Sequence, residues 1–326
     1  MLTCARAAEP KPTWIDSSPH QIGFVTVNGV RLHFLDWGGK GVTLLFLHGD
    51  GESAHIFDDL APRFTDRFRV LGLTQRGHGQ SAQPTSGYDT GTLVEDLRQF
   101  LDALKIKRVI LAGHGRAGDE LTAFAIKFPK RVSKLVYFDA AYDHATGRAL
   151  IDAREALLPQ FPKHDNEAYD AARTWYQLRY GCTSLAIDAA IRESTVLRAD
   201  GTLEDRTPQR IYDTLAIGTA ARPNYPKIKV PALSFYARGD VAALIRDAEK
   251  RREAQPTLTA FESWRQAEID LFRRRMRRGR VVEMPNALHY CFIQRQDEVV
   301  REMRAFLLSQ PERRQNLSLP GGTARR

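Results

Sequence analysis

The sequence predicts an α/β fold in which a mostly parallel sheet is flanked by helices. Short, continuously apolar segments at residues 42–47, 109–112 and 135–138 show no alternation of polar and apolar residues. Such segments suit strands that are buried on both faces, as in a parallel sheet. Segments with helical periodicity separate them, and this alternation indicates helices that cross over between parallel strands.

The first element predicted is a β-hairpin at residues 25–35. Asn28-Gly29 lies between two strand-like segments, and this pair tolerates the positive φ angles of a two-residue type I′ turn.

Further strands and helices follow in order. Residues 69–73, 232–236 and 281–284 are predicted strands, and residues 92–104 and 297–308 are predicted helices. Thr92 and Glu95 have the spacing of a capping box at the start of the first of these helices. A further helix is expected directly after Gly118.

The alternating pattern is interrupted between residues 142 and 229. This segment is rich in Ala, Arg and Asp and predicts several helices with no buried strand, as in a cap inserted into the sheet domain. The domain prediction is therefore a flexible segment at 1–22, a core at 23–141 and 230–310, the helical cap at 142–229 and a disordered tail at 311–326. Four aromatic residues of the cap are expected mainly in its core: Trp175, Tyr176, Tyr180 and Tyr212.

The composition favours a soluble α/β protein with a large core. The chain has 326 residues, 43% of them hydrophobic, and a net charge of +9. Much of the positive charge lies at residues 273–280, where a solvated helix face is expected, and no recognition motif for nucleic acid accompanies it. No stretch approaches the ~18 apolar residues of a membrane-spanning helix. The cysteines Cys4, Cys182 and Cys291 have neither metal-ligand spacing nor a disulfide framework.

The N-terminal residues leave two localisations open. Ala5-Arg6-Ala7 has the small-x-small form of a signal cleavage site, although no apolar segment precedes it. In one alternative the true start lies upstream and the protein is exported to the periplasm or secreted. In the other, Met1 is the start and the protein is cytoplasmic.

Five motifs in order carry a resemblance to a known family. They are His48-Gly49 after a strand, residues 76–81 (RGHGQS), the turn at residues 113–118 (GHGRAG), Gly239-Asp240, and His289. In this order the chain resembles the α/β-hydrolase-fold family of esterases, epoxide hydrolases and lactonases, over residues 23–308. The resemblance implies a mostly parallel eight-stranded sheet with a helical cap.

The resemblance also identifies an absent side chain. A strand that enters a helix through a very tight turn needs small residues, which Gly113, Ala117 and Gly118 supply. The family's nucleophile, usually Ser, stands at the centre of this turn. Gly115 occupies that position here and has no side chain that can attack a substrate.

The other catalytic groups are present by the same resemblance. His289 matches the general base, and Asp240 matches the acid that orients it, with Asp139 as a second candidate. The backbone N–H groups of Asp50 and Arg116 would form the oxyanion hole.

Three functions remain open for such a chain. The first is a hydrolase by ancestry of small ester- or lactone-like substrates, in which serine catalysis is lost or strongly weakened, with a non-catalytic pseudohydrolase that binds a small apolar ligand as its alternative. The second is base chemistry by a His-Asp dyad without a covalent intermediate. The third is an interaction module that uses residues 273–280. The expected partner is a small molecule under the cap; no metal and no organic cofactor is expected, and the sequence leaves the oligomeric state open.

Overall fold

A computed structural model describes residues 16–161, 168–217 and 222–309. The tail expected at 311–326, the possible cleavage site and most of the N-terminal segment lie outside these residues.

An eight-stranded sheet runs through the core, as predicted. Its spatial order is β1-β2-β4-β3-β5-β6-β9-β10. β1 and β2 pair antiparallel, as do β2 and β4, and every other neighbouring pair is parallel. The strands are β1 (Gln21–Val27), β2 (Val30–Gly38), β3 (Thr43–Leu47), β4 (Arg69–Thr74), β5 (Val109–His114), β6 (Val132–Phe138), β9 (Ala232–Arg238) and β10 (Gly279–Pro285); β7 and β8 lie in the cap region.

Apolar layers cover both faces of this sheet, as the continuous apolar strands predicted. All five residues of β3 are buried. Leu44 and Phe46 belong to one core cluster, whereas Leu45 and Leu47 belong to the other. Because successive side chains of a strand point to opposite faces, each strand contributes to both layers.

The hairpin between β1 and β2 turns at the predicted pair. Asn28 and Gly29 have φ angles of 49° and 75°, both in the left-handed region that a type I′ turn requires. This hairpin forms one edge of the sheet.

Helices connect the strands. They are α1 (Thr90–Ala103), α2 (Ala117–Lys127), α3 (His144–Leu157), α4 (Ala168–Tyr180), α5 (Leu185–Ser194), α6 (Gln209–Ile217), α7 (Ala248–Arg275), α8 (Cys291–Gln294) and α9 (Gln296–Leu308). The predicted start of α1 is wrong, because the helix begins at Thr90 and its N-cap is Asp89, not Thr92. The Asp89 side chain accepts the N–H of Thr92. Among the described residues, no helix is both long and apolar enough to cross a membrane.

The region between β6 and β9 contains α3 to α6 and one feature that the sequence did not predict. A two-stranded antiparallel hairpin, β7 (Thr195–Leu197) and β8 (Leu203–Asp205), follows α5. Its strands are mostly exposed, so they lack the apolar signal by which the buried strands were found. The long α7, which follows β9, packs against α3.

The contact between α3 and α7 depends on a glycine. A Cβ placed on Gly147 would lie 2.1 Å from Cζ2 of Trp264. The indole is held between Tyr142 and Phe261, with ring centroids 5.3 and 5.6 Å away. It therefore has little room to shift.

We expect Gly147→Ala to lower the free energy of unfolding by about 1–3 kcal/mol through overpacking, measured by urea denaturation. Gly91→Ala is the matched control, because Gly91 is also helical and meets only the Asp89 carboxylate, at 3.0 Å. In the control the higher helix propensity of Ala is offset by its contact with the capping carboxylate of Asp89, so the loss of stability should be smaller than for Gly147→Ala. Equal effects of the two substitutions would contradict a packing role for Gly147.

Candidate active site

The turn from β5 to α2 lies at the carboxyl edge of the sheet and forces two close approaches. Gly115 has a φ of 53°. A Cβ placed on Gly118 would lie 1.9 Å from the carbonyl oxygen of Ala140, so a larger residue does not fit there. Gly115 also donates its N–H to the carbonyl of Phe138, at 3.3 Å. This turn is therefore pressed against the end of β6.

His289 faces the space above Gly115. An ideal Cβ on Gly115 would lie 3.3 Å from Nε2 of His289 and 3.9 Å from Cα of Gly49. A side chain at this position would require the imidazole to move by a few tenths of an ångström, whereas a water molecule there would lie within reach of Nε2. The structure brings together two of the predicted site residues, Gly115 and His289.

Asp139 is the acid that holds His289. Its Oδ2 lies 2.8 Å from Nδ1 of His289. Its Oδ1 accepts hydrogen bonds from the hydroxyl of Tyr142, at 2.5 Å, and from the N–H of Ala237, at 3.1 Å. With both oxygens engaged, the carboxylate is fixed in orientation and in turn fixes the imidazole.

The electrostatics of this pair favour an ionised Asp139 and a neutral His289. Burial alone would raise the pKa of Asp139, but the hydrogen bond and charge of His289, together with Arg265, lower it well below its usual range. The pKa of His289 is also lowered, first by its removal from water and then by the neighbouring His114. A neutral imidazole at pH 7 can accept a proton.

A second histidine–carboxylate pair lies beneath the first. Nδ1 of His114 is 3.1 Å from Oε2 of Glu52, and its Nε2 is 3.2 Å from the carbonyl oxygen of His289. Both partners are acceptors, so both ring nitrogens of His114 donate and the ring carries a positive charge. Burial acts to lower the pKa of His114, but the charge of Glu52 raises it above the usual value. The rings of His114 and His289 are 4.2 Å apart, centroid to centroid.

The expectation that Asp240 orients His289 is wrong. Asp240 is exposed, and its Oδ1 accepts the N–H of Ala242, at 2.9 Å, at the start of a short 3₁₀ helix. It lines a different surface depression, together with Gln255. The Asp240 carboxylate thus caps a short helix. Asp139, which follows the neighbouring strand β6, contacts the imidazole instead.

The predicted oxyanion donors border the same cavity as His289. Asp50 and Arg116 both line it. Among the backbone hydrogen bonds of turns, loops and caps in the described residues, none is donated by the N–H of Asp50 or of Arg116. Their side chains form an ion pair, with Nε of Arg116 2.5 Å from Oδ1 of Asp50. An oxyanion hole at these two residues stays a prediction.

A cavity of about 340 Å³ connects these groups with the cap region. Its walls combine aromatic rings with charged side chains. Those contributed by α3, α4, α6 and α7 include Arg148, Ile151, Arg154, Tyr180, Tyr212, Phe261 and Trp264. Of the four aromatic residues expected in the core of the cap, Tyr180 and Tyr212 line the cavity. Tyr176 belongs to a core cluster, and Trp175 and Tyr180 pack against it.

Sequence reasoning missed Glu52. The residue is 2% exposed, and burial, which opposes ionisation, is outweighed by His114, which lowers its pKa to about 2. Glu52 also accepts the N–H of Gly49, at 2.9 Å. The only available signal was an acidic residue close behind His48-Gly49, and its partner His114 lies too far along the chain for any local pattern.

Comparisons with known proteins agree with this architecture. A family model described as "alpha/beta hydrolase fold" matches residues 42–187. The chain is 33% identical over 101 residues to a 2-(acetamidomethylene)succinate hydrolase of Mesorhizobium japonicum, covering 31% of this chain and 36% of that protein. It is 32% identical over 118 residues to a non-heme chloroperoxidase of Streptomyces lividans, covering 35% of this chain and 43% of that protein. The chain thus matches less than half of the length of these curated relatives.

Solved structures resemble the chain over most of its length. The crystal structure of an E-2-(acetamidomethylene)succinate hydrolase has a TM-score of 0.67 and 21% identity, covering 89% of this chain and 100% of that one. A Bacillus megaterium epoxide hydrolase has a TM-score of 0.65 and 18% identity, covering 88% and 100%. Both similarities concern the fold.

We expect Asp139→Asn to lower the pKa of His289 further, because the Asp139 carboxylate is the partner that raises it against burial and His114. NMR titration of the labelled imidazole measures this shift. Asp240→Asn is the matched control and should leave the His289 titration unchanged. A shift in the control, with none in Asp139→Asn, would restore Asp240 as the orienting acid.

Proposed function

We propose that this chain, a member of the α/β-hydrolase-fold family, hydrolyses small ester- or lactone-like substrates without forming a covalent intermediate. The general base is His289, oriented by Asp139, and the nucleophile is a water molecule above Gly115. Serine catalysis is lost because position 115 carries no hydroxyl group.

The observation that supports this proposal is the intact dyad beside a vacant nucleophile position. Nδ1 of His289 contacts Asp139 at 2.8 Å, which leaves Nε2 directed at the space above Gly115. The neutral state of His289 also suits the acceptance of a proton from water.

The reaction follows from these positions. Nε2 of His289 removes a proton from the water while the water oxygen bonds to the acyl carbon. The charge that develops on the carbonyl oxygen would be stabilised by the N–H groups of Asp50 and Arg116. The bond to the leaving oxygen then breaks, and His289 returns the proton to that oxygen. An acid and an alcohol result, or a hydroxy acid from a lactone, and the dyad is restored.

The cavity lining favours a small substrate with both polar and apolar parts. Phe261 and Trp264 offer ring surfaces, and Arg154 lies over the Phe261 ring at 4.7 Å from its centroid. The Arg154 guanidinium also pairs with Glu155, whose Oε1 lies 2.8 Å from Nη1. A guanidinium in the wall of a cavity is suited to a carboxylate or carbonyl group of a ligand. This lining fits a wholly apolar ligand, as a pseudohydrolase was expected to bind, less well.

We expect His289→Gln to reduce the hydrolysis of p-nitrophenyl acetate by about 10²–10⁴-fold, the usual contribution of a general base. In the unsubstituted chain the rate should fall with acidification, with a midpoint below the usual histidine pKa of 6.5, because burial and His114 lower the pKa of His289. The measurement is the initial rate from pH 4.5 to 8, corrected for spontaneous hydrolysis. A control, His78→Gln, removes a buried histidine outside the cavity lining. Equal rates for the native chain and His289→Gln would show that no dyad chemistry occurs and would leave ligand binding as the function.

We expect Gly115→Ser to place a hydroxyl within reach of Nε2 of His289 and to raise turnover by at least ~100-fold, since loss of a serine from an intact triad costs about 10⁶. The variant should be labelled by a serine-directed phosphonate, seen as a mass increase, whereas the native chain should not. Gly115→Ala is the matched control: it adds the Cβ without a hydroxyl, so it should displace the water and lower the native rate. An unlabelled, inactive Gly115→Ser with normal folding would mean that the oxyanion donors and the dyad no longer act together.

A further inference from the structure

Three histidines and three carboxylates form a second cluster, which does not border the active-site cavity. Asp16 and His20 precede β1, and His33 lies on β2. The other members are His55 and Asp58, at a 3₁₀ helix of residues Ala54–Phe57, and Glu193 near the end of α5. We call these six residues the histidine cluster. Five of them have side chains no more than 7% exposed, and that of Asp16 is 25% exposed.

Among the described residues, no arginine or lysine forms an ion pair with the carboxylates of this cluster. The ion-pair contacts of Asp16, Asp58 and Glu193 in the described structure are all with histidine. Neutral imidazoles do not compensate the two buried carboxylates, Asp58 and Glu193, or the partly exposed Asp16, and an uncompensated buried charge is strongly disfavoured. Added positive charge, from protons on the imidazoles or from a bound cation, would therefore stabilise the cluster.

Four of its side chains can direct one atom each to a common centre. Oδ2 of Asp16 is 3.4 Å from Nε2 of His20 and 3.4 Å from Nδ1 of His55. Nδ1 of His55 is in turn 2.7 Å from Oδ2 of Asp58. Ligands of a tetrahedral zinc ion, with bonds of about 2.0–2.1 Å, lie about 3.3 Å apart. One ligand atom from each of these four residues lies within 4.8 Å of every other.

Of the two atoms that face away from this centre, one is hydrogen bonded and the other lies near a carboxylate. The second nitrogen of His55, Nε2, is 3.5 Å from Oε2 of Glu193, an oxygen that has no hydrogen-bond partner in the described structure. The second oxygen of Asp58, Oδ1, accepts the indole N–H of Trp37, at 3.1 Å. A ligating histidine commonly donates its other N–H to a carboxylate, and a ligating carboxylate is commonly hydrogen bonded as well. Nε2 of the wholly buried His33 has no hydrogen-bond partner among the described residues.

We propose that Asp16, His20, His55 and Asp58 bind one divalent cation of the zinc class. Two imidazoles and two carboxylates suit zinc and not calcium or magnesium, which prefer oxygen ligands alone. The ion would fasten the segment before β1 to the 3₁₀ helix, and through Glu193 it would reach the cap helix α5. This site departs from the sequence-based expectation of no metal, because its ligands have none of the spacings typical of zinc motifs.

The first test is zinc binding to the untagged chain after chelator treatment. We expect one zinc per chain by isothermal titration and elemental analysis, and a melting temperature that rises by about 5 °C at zinc concentrations of 100 times Kd. His20→Gln and Asp58→Asn each remove a ligand and should weaken binding by more than ~100-fold. Glu193→Gln removes only an outer partner and should weaken binding by about 10–100-fold.

Two control variants separate this site from other histidines. His144 pairs with Asp119 at 3.1 Å but belongs to no cluster, so His144→Gln should keep full zinc binding. His289→Gln tests the active-site cavity and should also keep it. Zinc that is retained by His20→Gln and lost by His289→Gln would assign the ion to the cavity and overturn the proposal.

A second measurement does not depend on whether the variants fold. X-ray absorption at the zinc edge, on the unsubstituted chain, should show four nitrogen or oxygen ligands with the scattering pattern of two imidazoles. Absence of stoichiometric zinc at micromolar concentrations, or a spectrum without imidazole scattering, would equally overturn the proposal. The hydrolysis assay of His289→Gln remains a separate test of the dyad, whichever outcome is found.

Discussion

The site depends on the close approach of the turn after β5 to the end of β6. The carbonyl of Ala140 occupies the space that a Cβ of residue 118 would need, and the N–H of Gly115 binds the carbonyl of Phe138. These two contacts fix Gly115 relative to Asp139, which directly follows β6. Because Asp139 in turn orients His289, the separation between the base and the vacant position is set by the backbone and not by the missing side chain. This explains how the frame of a nucleophile site persists around a glycine.

Electrostatics then favour His289 over His114 as the proposed base. Both His114 and His289 contact a buried carboxylate, yet only His114 has acceptors at both of its nitrogens. A ring with two acceptors holds two protons. Its positive charge, with the rings 4.2 Å apart, opposes protonation of His289. Glu52 and His114 thus keep the base neutral, and these buried residues influence the chemistry without reaching the position of the substrate.

The sequence predicted the parts of this site that have a local signal. Buried strands, the tight turn and the histidine after β10 each follow from neighbouring residues. The choice between Asp139 and Asp240 does not, because both follow strand ends and β6 and β9 are adjacent in the sheet. What separates them is side-chain direction: Asp240 caps the N–H of Ala242, and Asp139 turns towards His289. The Glu52–His114 pair and the histidine cluster join distant segments, so no spacing rule could find them.

The segment after β3 links the two histidine–carboxylate assemblies. Glu52 contacts His114 beneath the candidate active site, and His55, three residues later, belongs to the histidine cluster. The cap helix α5 packs against the 3₁₀ helix that carries His55, and its Glu193 contacts His55. A cation at the cluster would therefore fix the position of the short segment that contains Glu52. The Glu52 carboxylate would then stay close to His114, whose pKa it raises. In this arrangement a structural metal acts on the active site by restricting the backbone from which the site is built, because preorganised groups need no rearrangement as charge develops.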